Sequence, residues 1–120
     1  VNEPRTVTVP TLDHGDVTVP EPDWCTGHGP FPEHRADLTH YGLEHRLTYN
    51  GAELFRLMLA QTPLAERASR EVCGYVEQAG YTGSLDQGGL YDLAAALDAA
   101  ADQLRAFADQ HAALLAGGAQ

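Results

Sequence analysis

Leu43-Glu44-His45-Arg46-Leu47-Thr48-Tyr49-Asn50-Gly51-Ala52-Glu53-Leu54-Phe55-Arg56-Leu57-Met58-Leu59-Ala60 is the stretch whose reading decides the fold. Two apolar-rich runs, Leu43 to Tyr49 and Ala52 to Ala60, meet at Asn50-Gly51. A type I′ turn needs positive φ at both central residues, and Asn followed by Gly supplies it at low steric cost. The stretch therefore reads as an antiparallel hairpin. A two-residue turn pairs Tyr49 with Ala52, Leu47 with Leu54, His45 with Arg56 and Leu43 with Met58. Phe55, Leu57 and Leu59 then fall on the opposite face, so the sheet is expected to be covered on both sides.

Toward the C-terminus, Thr62 to Glu66 suits a short helical turn, with Thr62 as cap and Pro63 in the first helical position. Glu71 to Gln78 fits a third strand, with Val72 and Val76 on one face and Cys73 and Tyr75 on the other. Gly80 and Gly83 end it. From Ser84 or Asp86, either of which can cap a helix, the period changes. Leu90, Leu93, Leu97, Ala100, Leu104, Phe107, His111 and Leu114 recur at spacings of three and four, which puts them on one helical face. Asp92, Asp98, Asp102, Arg105 and Asp109 lie off that stripe, and Gly117-Gly118 stop the helix. Three short strands are expected to cover Leu90, Leu93 and Leu97. The remainder of the stripe runs on for three more turns in heptad spacing, and its expected partner is a second copy: a homodimer through the C-terminal helix.

Toward the N-terminus, Thr6-Val7-Thr8-Val9-Pro10 is echoed by Asp16-Val17-Thr18-Val19-Pro20. Each copy alternates β-branched residues and ends in a residue without an N–H, as short edge strands do. The expected architecture is one α+β domain over 1–120. It comprises an N-terminal β-hairpin (1–20), a zinc-knuckle-like loop (21–42), a small antiparallel β-meander (43–83) and one long C-terminal α-helix (84–116) packed against the sheet.

Composition narrows the function. Seventeen acidic residues against seven basic give a formal net charge of -10, and lysine is absent. Such a chain repels phosphate backbones, so no nucleic-acid partner is expected. No apolar run is long enough to span a membrane, and no segment resembles a secretory signal. The expected location is the cytoplasm. Two cysteines, Cys25 and Cys73, are too few for a disulfide framework.

Residues 20–42 carry four prolines and no periodicity, and a loop of that length needs an organiser. Four of the six histidines crowd into eighteen residues, in the pattern Cys25-x2-His28-x5-His34-x5-His40-x4-His45. Zinc prefers thiolate and imidazole in a tetrahedron, and a Cys and a His two residues apart can aim at one point. Cys25, His28 and His40 are the first three candidate ligands. His34, Glu21 and His45 compete for the fourth place. His34 is favoured because imidazole is the commoner structural ligand and because it lies in the same loop. His45 is disfavoured by its place in the hairpin ladder.

The stretch Pro22-Asp23-Trp24-Cys25, His28 and His40-Tyr41-Gly42 resembles a family of small actinobacterial proteins of unknown function. Their signature is Cys-Pro-x-Trp-Cys, a nearby His and a later His-x-Gly, followed by a short sheet and an Ala- and Leu-rich helix. The resemblance implies a metal site at Cys25, His28 and His40. Glu21 stands where the signature has its first cysteine, and a carboxylate is itself a zinc ligand. No His-Glu-x-x-His helix, deaminase signature or Gly-rich phosphate loop is present. The expected function is therefore a non-enzymatic zinc-binding interaction module, regulatory in character, that binds a protein partner or itself. The alternative is a small metal-dependent hydrolase with an open coordination site on zinc.

Overall fold

The computed structural model describes residues 5–117. The echoed segments pair with each other: β1 (Thr6–Pro10) runs antiparallel to β2 (Asp16–Pro20), with Thr6 opposite Pro20 and Pro10 opposite Asp16. Thr8 and Thr18 face each other and share a 2.7 Å hydroxyl hydrogen bond. This hairpin is a separate two-stranded sheet. It leans on the following loop through Leu12 N–H to the Glu33 carbonyl (2.9 Å) and Arg35 N–H to the Asp13 carboxylate (2.8 Å).

The second sheet is built around β5 (Ala52–Gln61). Its ten residues are long enough to carry β4 (His45–Tyr49) and the two-residue β3 (His40–Tyr41) one after the other along one edge. The opposite edge pairs with β6 (Cys73–Gln78), and every neighbour is antiparallel. Asn50 and Gly51 carry φ of 49° and 80°, as a type I′ turn requires. The hairpin register differs from the sequence expectation. Tyr49 faces Ala52 and Thr48 faces Glu53, but the ladder then shifts, so Leu47 opposes Phe55 and His45 opposes Leu57. The slip has a physical reason. A one-residue shift moves a strand's side chains to the other face, and this one puts Leu47 on the same face as Leu57. Both are buried there with Ala100, and Phe55 and Phe107 flank them, so a core lies beneath the helix. Leu43 lies outside β4 and is exposed, and the segment at Thr62 forms a turn instead of a helix.

The helix α1 (Gln87–Ala116) packs on that face. Asp86 is its cap, accepting from Gly89 N–H at 2.8 Å. Tyr49 O–H donates to the Gly89 carbonyl at 3.1 Å, and the His111 ring bonds the Val72 carbonyl at 3.0 Å. The helix therefore runs back antiparallel to β6. The helix approaches closely at Gly74, where a Cβ would lie 3.0 Å from Phe107 Cε2. This reverses the expected division of the apolar stripe. Phe107 and His111 dock on the sheet, whereas Leu90, Leu97 and Leu104 stay largely in solvent. The reason is rotational. The row Leu93, Ala100, Phe107 and Leu114 points down at the sheet, and the row Leu90, Leu97 and Leu104, about 60° round the helix, points past its β6 side. Among the described residues no helix is long and apolar enough to cross a membrane.

Candidate metal centre

The four donors come from three pieces of local structure. Glu21 follows directly on β2, where its N–H continues the hairpin ladder to the Arg5 carbonyl at 2.9 Å. Cys25 and His28 lie on the loop that follows. Cys25 N–H closes a turn to the Pro22 carbonyl (3.1 Å), and Gly27, at φ 109°, reverses the chain. Only glycine enters that region at low cost. The reversal brings Gly27 N–H within 3.5 Å of Cys25 Sγ and returns His28 toward the thiol. His40 opens β3, whose pairing with Gln61 at the end of β5 fixes it on the sheet edge. Thr26 ties the loop to the same strand, N–H to the Tyr41 carbonyl at 2.9 Å.

These elements converge. One ligand atom each from Glu21, Cys25, His28 and His40 lies within 4.8 Å of all the others. Cys25 Sγ is 3.8 Å from His28 Nε2, and Glu21 Oε1 is 3.2 Å from His28 Nε2 and 2.9 Å from His40 Nδ1. Zinc–ligand bonds of about 2.0 to 2.3 Å in a tetrahedron set donor separations of roughly 3.3 to 3.6 Å. The observed spacing fits one ion in the middle. His40 is 1% exposed, and its Nδ1 has no hydrogen-bond partner despite the nearby Glu21 oxygen. The two atoms approach closely without the direction of a hydrogen bond, as donors do when both aim at a third centre. Four donors of this kind are able to hold a metal ion.

Trp24 and Gly42 wall the site. The indole stands edge-on to His40 at 6.4 Å, and its Cε3 would lie 3.4 Å from a Cβ on Gly42. Gly42 thus lets the indole down onto the sheet. The His-x-Gly part of the resembled signature marks Gly42, though not for this contact with Trp24. His34 and His45 stand outside the cluster. His34 is exposed and precedes a single 3-10 turn, Arg35–Asp37. His45 lies on the helix face, its ring 5.6 Å from that of Phe107.

Electrostatics within the cluster follow from burial and the shared carboxylate. Burial pushes the Cys25 thiol up, and Glu21 adds to this. Burial holds His40 below its ordinary 6.5, against the pull of Glu21. For Glu21 burial acts upward, but hydrogen bonds from Cys25 and His28 and the two imidazoles outweigh it and hold the carboxyl low. A divalent cation would favour the charged thiolate and carboxylate and the neutral imidazoles.

The family described as Domain of unknown function (DUF6907) matches residues 6–113, from β1 to the last turns of α1. The chain belongs to that family. The DUF6907 match spans both sheets, the four-donor cluster and most of the helix. No curated protein and no solved structure matches the chain.

Proposed function

We propose that this domain is a zinc-organised interaction module, in which Glu21, Cys25, His28 and His40 hold one structural ion. The observation that carries the reading is the convergence of four donors within 4.8 Å of one another, with three separations between 2.9 and 3.8 Å, around the buried and unpartnered His40 Nδ1. Thiolate and imidazole select zinc over hard cations such as magnesium or calcium. The cluster joins β2, the 21–42 loop and the edge of the second sheet, which is the work of a structural ion. Glu21 takes the place of the first cysteine in the signature that the sequence resembles.

With Glu21 as fourth donor the coordination shell is closed, and a closed shell leaves no position for a reacting water. The interaction role rests on the acidic surface, with a formal charge of -10, and on apolar groups left in solvent. The test is elemental analysis of the purified protein, repeated on Cys25→Ser and His40→Ala. One zinc per chain in the parent and loss of zinc in both variants is the expected result. Zinc retained in both variants refutes the ligand set. Hydrolytic turnover that disappears with the metal supports the open-site hydrolase instead.

A further inference from the structure

We propose that the open edge of β6 and the leucine row of α1 form one surface, and that a second copy of this chain covers it. This surface lies away from the metal cluster, and the proposal stands whether or not zinc binds.

Among the described residues β6 pairs only with β5, so its other side presents free backbone N–H and C=O groups. All six of its residues are exposed. Natural edges are guarded by proline, lysine, a bulge or a covering element, and Cys73-Gly74-Tyr75-Val76-Glu77-Gln78 offers one glutamate. Beside the edge lie Val76 (53% exposed), Leu97 (45%) and Leu104 (39%). They are neighbours. Val76 opposes Leu57 on the helix side, and the helix runs back over β6 with Phe107 at Gly74. Leu104 therefore stands one turn on, level with Val76.

A second copy covers both features at once. An extended peptide would satisfy the edge and leave the leucines wet. A foreign helix would cover the leucines and leave the edge unpaired. A two-fold axis normal to the sheet, through Val76, joins the two β6 strands antiparallel and keeps helix-side residues opposite one another. Val76 then meets Val76, and Tyr75 meets Glu77, so the two glutamates never face. The same axis sets the two helices antiparallel. A stable interface buries about 800 Å² per partner. A six-residue edge falls short of that alone, and the leucine row supplies the second layer.

The test is sedimentation of the full chain over a range of concentrations, with hydrogen exchange on the same samples. The expected species has twice the 12.9 kDa of one chain. Leu97→Glu combined with Leu104→Glu should halve the mass while the helix signal in circular dichroism is kept. Leu43→Glu, at an exposed site outside this surface, should leave the dimer intact. In the parent, the outward amides of β6 should gain at least tenfold protection as the dimer forms. A monomer at every concentration overturns the proposal. So does a dimer whose β6 amides exchange freely, or one that only Leu43→Glu dissociates. The exchange measurement on the parent decides the matter even if the glutamate variants fail to fold.

Discussion

Removing the ion should lower the melting temperature by an amount the structure lets one calculate, and should loosen a defined third of the chain. On the proposed reading zinc binds the folded cluster and finds no preformed site in the unfolded chain. At free zinc 1,000-fold above its dissociation constant the linkage stabilises the native state by about 4 kcal/mol. A chain of 120 residues unfolds with an entropy of about 0.25 kcal/mol per degree. Chelation should therefore lower the midpoint by roughly 16 °C, and by about 11 °C if zinc is only 100-fold above. The assay is calorimetry with and without a strong chelator, followed by hydrogen exchange. The amides expected to lose protection are those of Cys25 and Thr26, bonded to Pro22 and Tyr41, and that of Gly42, bonded to Leu59. The β5–β6 ladder should keep its protection. An unchanged midpoint together with a metal-free protein as purified would refute the reasoning.

Glu21→Cys should hold zinc more tightly than the parent in chelator competition, by about tenfold or more, because a thiolate replaces a carboxylate; weaker binding would show that Glu21 is not a ligand. His34→Ala should leave one zinc per chain, and loss of the ion would restore His34 to the site. In the metal-free protein His40 is held below 6.5, so the unfolded chain takes up that proton first and stability falls as pH drops below about 6.5. Glu21 is also held low, so a second loss should set in as pH falls below about 4.5; His40→Gln should remove the first step and shrink the second in urea midpoints. Gly74→Val should cost about 1 to 3 kcal/mol by driving a side chain into Phe107, read as a lower urea midpoint with near-native helix content. Gly51→Val, at φ 80°, should destabilise the hairpin by about 1 to 2 kcal/mol in the same measurement, and a neutral result would contradict the type I′ turn.

The elements legible in the sequence are those with local causes. Asn50-Gly51 marks its turn because both backbone angles are set by the two residues themselves. The helix announces itself by periodicity, and Asp86 by its place before the first turn. The echo around Val7 and Val17 pairs with itself because the intervening turn is short. What stayed hidden depends on distant packing. The shift at Leu47/Thr48 exists because Leu47 and Leu57 must share a face with Ala100, more than forty residues away. Which leucines of α1 point at the sheet depends on where Gly74 lets Phe107 in. In the metal cluster, Cys25 and His28 are joined by a local reversal at Gly27, and that spacing is readable. The choice between Glu21 and His34 is set by how the N-terminal hairpin docks, since Glu21 continues the ladder to Arg5, and no local pattern encodes that docking.

The four donors lie within residues 21–40, while the core beneath the helix is made by β4, β5, β6 and α1, all later in the chain. The two halves meet where β3 joins the end of β5 over two residue pairs, with Thr39 bonded to Thr62 and Gly42 N–H to the Leu59 carbonyl beside them. If the proposed ion is zinc, a cell short of it would therefore make a chain whose second half is complete and whose first third is not. Its Gly27-His28-Gly29-Pro30 segment would then be open to proteases, and cleavage there would release a stable fragment carrying the β6 edge and the helix. With the proposed ion in place, metal supply would in this way set how long the whole protein survives, without touching the surface proposed for self-association.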